Sequence, residues 1–92
     1  MPVYVYMLRC KNNSLYTGWT TDLKARLEKH QAGKGAKYTQ AFGVTALVYY
    51  EQLEDKTAAL KREYALKQLP KKDKESLVEG FKLKLLEKSN KN

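Results

Sequence analysis

The sequence predicts an α+β domain in the order β-β-α-β-α-α, a three-stranded antiparallel sheet flanked by helices. Three observations predict it. Residues 3–10, "VYVYMLRC", alternate and are rich in β-branched and aromatic side chains, and a similar run returns at Leu15 after only four turn-type residues. From Leu23 onward the spacing changes to i, i+3, i+4, i+7, the period of a helix with one core-facing side. A third strand-like run, "TALVYYEQ", then precedes two further segments of helical period.

Each element has its own local justification. Val3–Cys10 reads as a strand with Tyr4, Tyr6 and Leu8 on one face and Val3, Val5 and Met7 on the other. "KNNS" turns the chain, because Asn12 and Asn13 tolerate left-handed backbone and hydrogen-bond their neighbours. Leu15–Thr20 completes a hairpin, with Tyr16, Gly18 and Thr20 sharing a face. Thr21 or Asp22 caps the first helix, which runs to about Gln31 and stops at Gly33. "GKGAKYTQAFG" reads as a polar loop, and residues 45–52 as the third strand. A second helix begins near Asp55 and continues to Leu69, where Pro70 interrupts it. Residues 77–86 form a third helix, and "KSNKN" is expected to fray. The expected organisation is one domain over residues 1–88 and a frayed tail at 89–92, since 92 residues support a single core.

Composition narrows the classes further. An apolar content of 42% is enough for a packed globule. The single cysteine, Cys10, excludes an internal disulfide framework and a cysteine-based zinc finger. No run approaches the roughly 18 apolar residues of a membrane span, and "VYVYMLRC" is too short for a signal peptide core. The expectation is a soluble, cytoplasmic protein. The net charge of +8 is uneven: +3 falls in residues 21–40 and +5 in residues 61–92, with −2 between them in residues 41–60. A field of that kind attracts polyanions, nucleic acid above all. Its alternative is a lysine-rich surface that serves solubility.

Two helices break their own patterns. Leu23, Arg26, Leu27 and His30 lie within one arc of the first helix. A guanidinium is costly to bury alone, so Arg26 and His30 are placed at the margin of the core, lining a polar site. In the second helix, Ala59, Leu60 and Leu66 define an apolar arc with Glu63 pointing between them. A carboxylate there is either paired with a cation or available to a metal. An Arg26–Glu63 salt bridge is the purely structural alternative. If Tyr6 and Tyr16 face the helix side of the sheet, two phenols, an arginine, a histidine and a glutamate converge. Gly18, two residues beyond Tyr16, leaves space on that face.

These residues resemble the GIY-YIG nuclease domain. Its first signature corresponds to Tyr4-Val5-Tyr6 and its second to Tyr16-Thr17-Gly18. "TTDLKARLEKH", "GKGAKYT" and "AALKREYALKQL" are similar, in order, to the short stand-alone bacterial members, and the resemblance spans about residues 3–75. It implies that Tyr6 and Tyr16 are the signature tyrosines, that Arg26 and His30 belong to the catalytic group, and that Glu63 binds the divalent metal. Lys37 and Tyr38 match the basic loop of the short members. Tyr4 stands where many members have glycine and Thr17 where they have isoleucine, and neither replaces a catalytic side chain. The asparagine found beyond the metal glutamate in many members has no counterpart here; Gln68 is only nearby.

The activity so implied is metal-dependent hydrolysis of DNA phosphodiester bonds, in repair or in the processing of branched substrates. Glu63 would hold one Mg²⁺ or Mn²⁺, Arg26 would grip the scissile phosphate, and one tyrosine would activate water with help. Tyr6 is the first choice for that tyrosine; its helper is His30, the cation or the other phenol. Lys34, Lys37, Tyr38 and Lys67 are expected to contact nucleic acid, DNA rather than RNA. Tyr38 or Trp19 could stack on an unpaired base, although Trp19 also suits the edge of a core. The other readings are a nucleic-acid-binding module of the same fold without turnover, and a subunit that docks a protein supplying recognition.

Overall fold

The computed structural model describes residues 2–89. Strands β1 (Val3–Cys10), β2 (Leu15–Thr20) and β3 (Val44–Leu53) form one antiparallel sheet in the order β2-β1-β3. The hairpin turn lies where the asparagines are. Asn13 adopts φ 68°, and Asn12 Oδ1 accepts from the Ser14 backbone N–H at 3.2 Å. Pairing sets Tyr6 opposite Gly18 and Leu8 opposite Tyr16, so both signature tyrosines project from the same face. On β3 a bulge lies just before Tyr49: Met7 pairs with Tyr49, but Leu8 pairs with Leu47. The extra residue, Val48, reverses the alternation, so Leu47 and Tyr49 project from opposite faces.

Helix α1 (Leu23–Gln31) covers the tyrosine face, where Leu23 and Leu27 meet Tyr6, Leu8 and Leu47. Of the two candidate caps Asp22 is the one used; its carboxylate accepts from Ala25 N–H at 3.0 Å. Gly33, at φ 77°, ends the turn beyond it. Helix α3 (Lys56–Gln68), capped by Asp55 on Ala58 N–H at 2.8 Å, covers the other face. There Leu66 joins Val5, Met7 and Tyr49 in the buried core. Leu60 departs from expectation: it is exposed, and the buried stripe of α3 is Ala59 and Leu66, seven residues apart.

Two segments differ from the sequence reading. The polar loop contains a short helix, α2 (Lys37–Phe42). Its residues lack apolar periodicity, and its inward side is marked by the buried Thr39. The last helix, α4 (Lys71–Ser89), starts six residues earlier than expected. Pro70 ends α3 but begins α4, its carbonyl accepting from Asp73 and Lys74 N–H. Proline is tolerated in a first helical turn, where its missing N–H would be unpaired in any case. Arg9 anchors the start of α4 with a two-pronged bond to Glu75, in its second turn, both at 2.6 Å, while Lys71 Nζ reaches Asn13 O at 2.6 Å. The long α-β order β-β-α-β-α-α is otherwise as expected. Of the tail expected to fray, Lys88 and Ser89 belong to α4 and residues 90–92 lie outside the described residues. No described helix is long and apolar enough to cross a membrane.

Candidate active site

Tyr6 sits at the centre of the central strand with only 2% of its surface exposed. Its hydroxyl lies over Gly18, where a Cβ would stand 2.6 Å from the Tyr6 oxygen. Glycine is therefore required opposite this phenol for reasons of space, not of backbone conformation. The hydroxyl reaches across to α1 and meets His30 Nε2 at 3.0 Å. On the far side of the imidazole, Nδ1 lies 2.7 Å from Thr39 Oγ1, which donates onward to Ala36 O at 2.9 Å. Gly35 closes the pocket wall: a side chain there would collide with the imidazole ring. His30 is thus buried, deeper than the rim position expected for it, because α2 folds over it.

Burial shapes the protonation of both groups. It pushes the Tyr6 phenol up to about 12, with the nearby Tyr16 and Glu63 adding to the rise and Arg26 partly opposing it. Burial also holds His30 below its ordinary range, assisted by the positive charges of Arg26 and Lys29. At neutral pH the pair is a neutral phenol beside a neutral imidazole.

Tyr16 flanks this pair. Its ring centroid is 6.5 Å from that of Tyr6 and 5.3 Å from that of His30. Tyr38 stacks on its outer side at 6.2 Å and 25°, and Phe42 follows at 4.8 Å. An aromatic row therefore leads from the buried histidine to solvent, where Tyr38 and Phe42 are about two-fifths exposed. Beside it, Tyr16, Thr17, Tyr38, Lys67 and Lys74 line a groove of about 190 Å³. Trp19 takes no part: it is on the opposite face of β2, opposite Val5, with Lys56 Nζ over its ring at 5.4 Å.

The remaining charged candidates lie at the edge. Arg26 is exposed on α1, and its charge reaches both Tyr6 and His30. Glu63 is partly buried beside the Ala59–Leu66 stripe of α3, its side chain 18% exposed, and its charge also reaches Tyr6. Its ion pair is with Lys67, one turn on at 3.4 Å, and not with Arg26. Lys34 and Lys37 are exposed before and at the start of α2. No three His, Cys, Asp or Glu side chains gather into a metal cluster among the described residues. Glu63 would thus hold a cation through one carboxylate, an arrangement suited to a hard ion that keeps most of its water.

Four contributors escaped the sequence reading. Thr39, Gly35 and Phe42 stand in a segment read as loop, and Lys74 between Pro70 and the start expected for the third helix. The only signal for Thr39 was a threonine nine residues beyond the histidine, a spacing no regular element explains.

The model of the GIY-YIG catalytic domain matches residues 2–76. A UPF0213 protein of Staphylococcus haemolyticus is 47% identical over 76 residues, covering 83% of this chain and 93% of that one. One from Clostridium perfringens is 47% identical over 81 residues, 88% and 87% of the two chains. The solution NMR structure of a UPF0213 protein from Bacillus halodurans shares 47% identity with a TM-score of 0.55, covering 86% of this chain and 84% of that one. That of a protein from E. faecalis shares 38% at a TM-score of 0.60, with 90% and 88% covered. The chain belongs to the GIY-YIG catalytic domain family, a nuclease family, alongside short bacterial UPF0213 proteins.

Proposed function

We propose that the protein is a divalent-metal-dependent endonuclease acting on DNA phosphodiester bonds, with Tyr6, Tyr16, Arg26 and His30 as the catalytic group and Glu63 as the metal ligand. The observation that carries this reading is the buried Tyr6–His30 hydrogen bond of 3.0 Å, with Tyr16 against it and the charges of Arg26 and Glu63 in range. A phenol is too weak a base to take a proton from water unless its own proton has somewhere to go. Here the acceptor is in place: Tyr6 takes the proton of an attacking water as its own hydroxyl proton passes to His30 Nε2. Arg26 binds the phosphate, and the phosphate's negative charge offsets the repulsion that Arg26 exerts on the protonated imidazole. Tyr16 orients water or phosphate. Glu63 holds the ion, Mg²⁺ or Mn²⁺, which when bound supplies charge neutralisation at the phosphoryl oxygens.

Lys34, Lys37, Tyr38 and Lys67 give affinity along the backbone of the nucleic acid, independent of its sequence. The test is a cleavage panel of nicked, flapped, forked, single-stranded and duplex DNA in Mg²⁺ or Mn²⁺. Cleavage that disappears in Glu63→Ala and Arg26→Ala supports the assignment; cleavage unchanged in both overturns it. A second reading, binding without turnover, is favoured by one observation: the Lys67 ammonium stands against the carboxylate that a metal would need. Steeply salt-dependent binding with no product from any substrate would select that reading.

A further inference from the structure

We infer that Thr39 is a positioning residue, which fixes His30 in the tautomer protonated at Nδ1 and so leaves Nε2 bare to receive the Tyr6 proton. The inference rests on the catalytic roles proposed above, but its structural content stands apart from them. It follows from counting protons along the chain Tyr6 Oη, His30 Nε2, His30 Nδ1, Thr39 Oγ1 and Ala36 O, whose links measure 3.0, 2.7 and 2.9 Å.

A hydroxyl has one proton to give. Thr39 gives its own to Ala36 O, so toward the imidazole it can only accept. Nδ1 must then carry a hydrogen. A neutral imidazole carries only one, hence Nε2 presents its lone pair, and the Tyr6 O–H donates to it. All three donors are satisfied in that direction. Reversed, Thr39 would donate to Nδ1, Nε2–H would donate to Tyr6, and the buried Tyr6 proton would have no acceptor in the described hydrogen-bond set. An orphaned buried O–H is costly, so the first direction is the stable one.

The fold gives Thr39 little freedom to do otherwise. It is 1% exposed, and its hydroxyl bonds back three residues within the first turn of α2. Gly35 lies against the imidazole, where any side chain would force the ring to move. The short helix inside an apparently polar loop therefore has a purpose: it delivers one acceptor to one nitrogen. Imidazoles in enzymes are commonly oriented this way, through the nitrogen that does not react.

The test uses the full 92-residue chain, whose only histidine is His30, so one imidazole accounts for all histidine signals. Nitrogen-15 NMR at neutral pH distinguishes protonated from bare ring nitrogens. The wild-type protein is expected to show Nδ1 protonated and Nε2 bare, Thr39→Ser the same, and Thr39→Val a shift toward the Nε2-protonated form. A wild-type ring protonated at Nε2, or a Thr39→Val ring that keeps the wild-type pattern in a folded protein, overturns the inference. On a DNA substrate found by the cleavage panel, Thr39→Val should lower kcat roughly 10- to 100-fold with KM unchanged, and Thr39→Ser should restore it. Loss of Thr39→Val activity through KM alone would also overturn it. Absence of cleavage by the wild-type protein would count against the nuclease reading, while the tautomer measurement would still decide the role of Thr39.

Discussion

The Tyr6 hydroxyl occupies the volume that a side chain at residue 18 would fill, 2.6 Å from the Cβ that Gly18 lacks. The two residues pair across β1 and β2, so this clearance is set by strand register and not by loop conformation. Gly18→Ala should accordingly displace the phenol from His30, lowering stability by about 1–3 kcal/mol as overpacking does. Urea denaturation measures the loss. In the Tyr6→Phe background, where the clashing oxygen is gone, the same substitution should cost less.

Stability should fall at both ends of the pH range for separate reasons. Burial and the charges of Arg26 and Lys29 hold His30 below 6.5, so the unfolded chain binds its proton more readily. This contribution is complete above about pH 6.5 and is lost as pH falls below that value and through the lower value of the folded imidazole. Tyr6 and Tyr49 are each pushed up to about 12, chiefly by burial, so the unfolded chain ionises first. Their contribution is complete below about pH 10 and is lost as pH rises toward 12. Denaturation midpoints between pH 5 and 8 should slope in the wild-type protein and flatten in His30→Asn. The Arg62 and Tyr49 hydrogen bonds outweigh burial at Glu51, and that from Arg9 holds Glu75 low, so both carboxylates act only below 4.5.

Glu63→Gln should separate function from folding. The pair it breaks, with half-exposed Lys67 one turn away, is of a type that contributes less than about 0.5 kcal/mol. Thermal unfolding should therefore be nearly unchanged while metal-dependent cleavage is lost. Isothermal titration with Mn²⁺ should show weaker binding in the variant. Lys67→Ala, by removing the competing ammonium, should tighten it.

The core predicts the opposite separation. Leu66, fully buried against Val5 and Met7, is remote from the phenol–imidazole pair. Leu66→Ala should lower stability by about 2–5 kcal/mol. At a temperature where the variant remains folded, its His30 nitrogen spectrum should match the wild type.

The two arginines of the first 30 residues show what local reading can and cannot do. Arg26 was legible because it interrupts a helical apolar stripe, a pattern visible within seven residues. Arg9 was silent, since its partner Glu75 is 66 residues away and belongs to a helix whose start a proline disguised. Glu63 was found for the same reason as Arg26, and the structure pairs it with Lys67, one turn along the same helix, and not with Arg26. The bulge at Val48 hid the facing of β3, as a single added residue inverts every alternation beyond it.

By itself the sequence determined the strands, the asparagine turn, a helix start at Thr21 or Asp22 and another near Asp55. Those depend on neighbours within about four positions, where turn chemistry and periodicity act. Only the tertiary structure decided that His30 is buried, that its Nε2 faces Tyr6, and that Thr39 meets the other nitrogen. Such pairings span 24 and 9 residues, and no local propensity encodes them. They exist because closing α1 and α2 over one sheet face leaves each buried donor a single acceptor within reach.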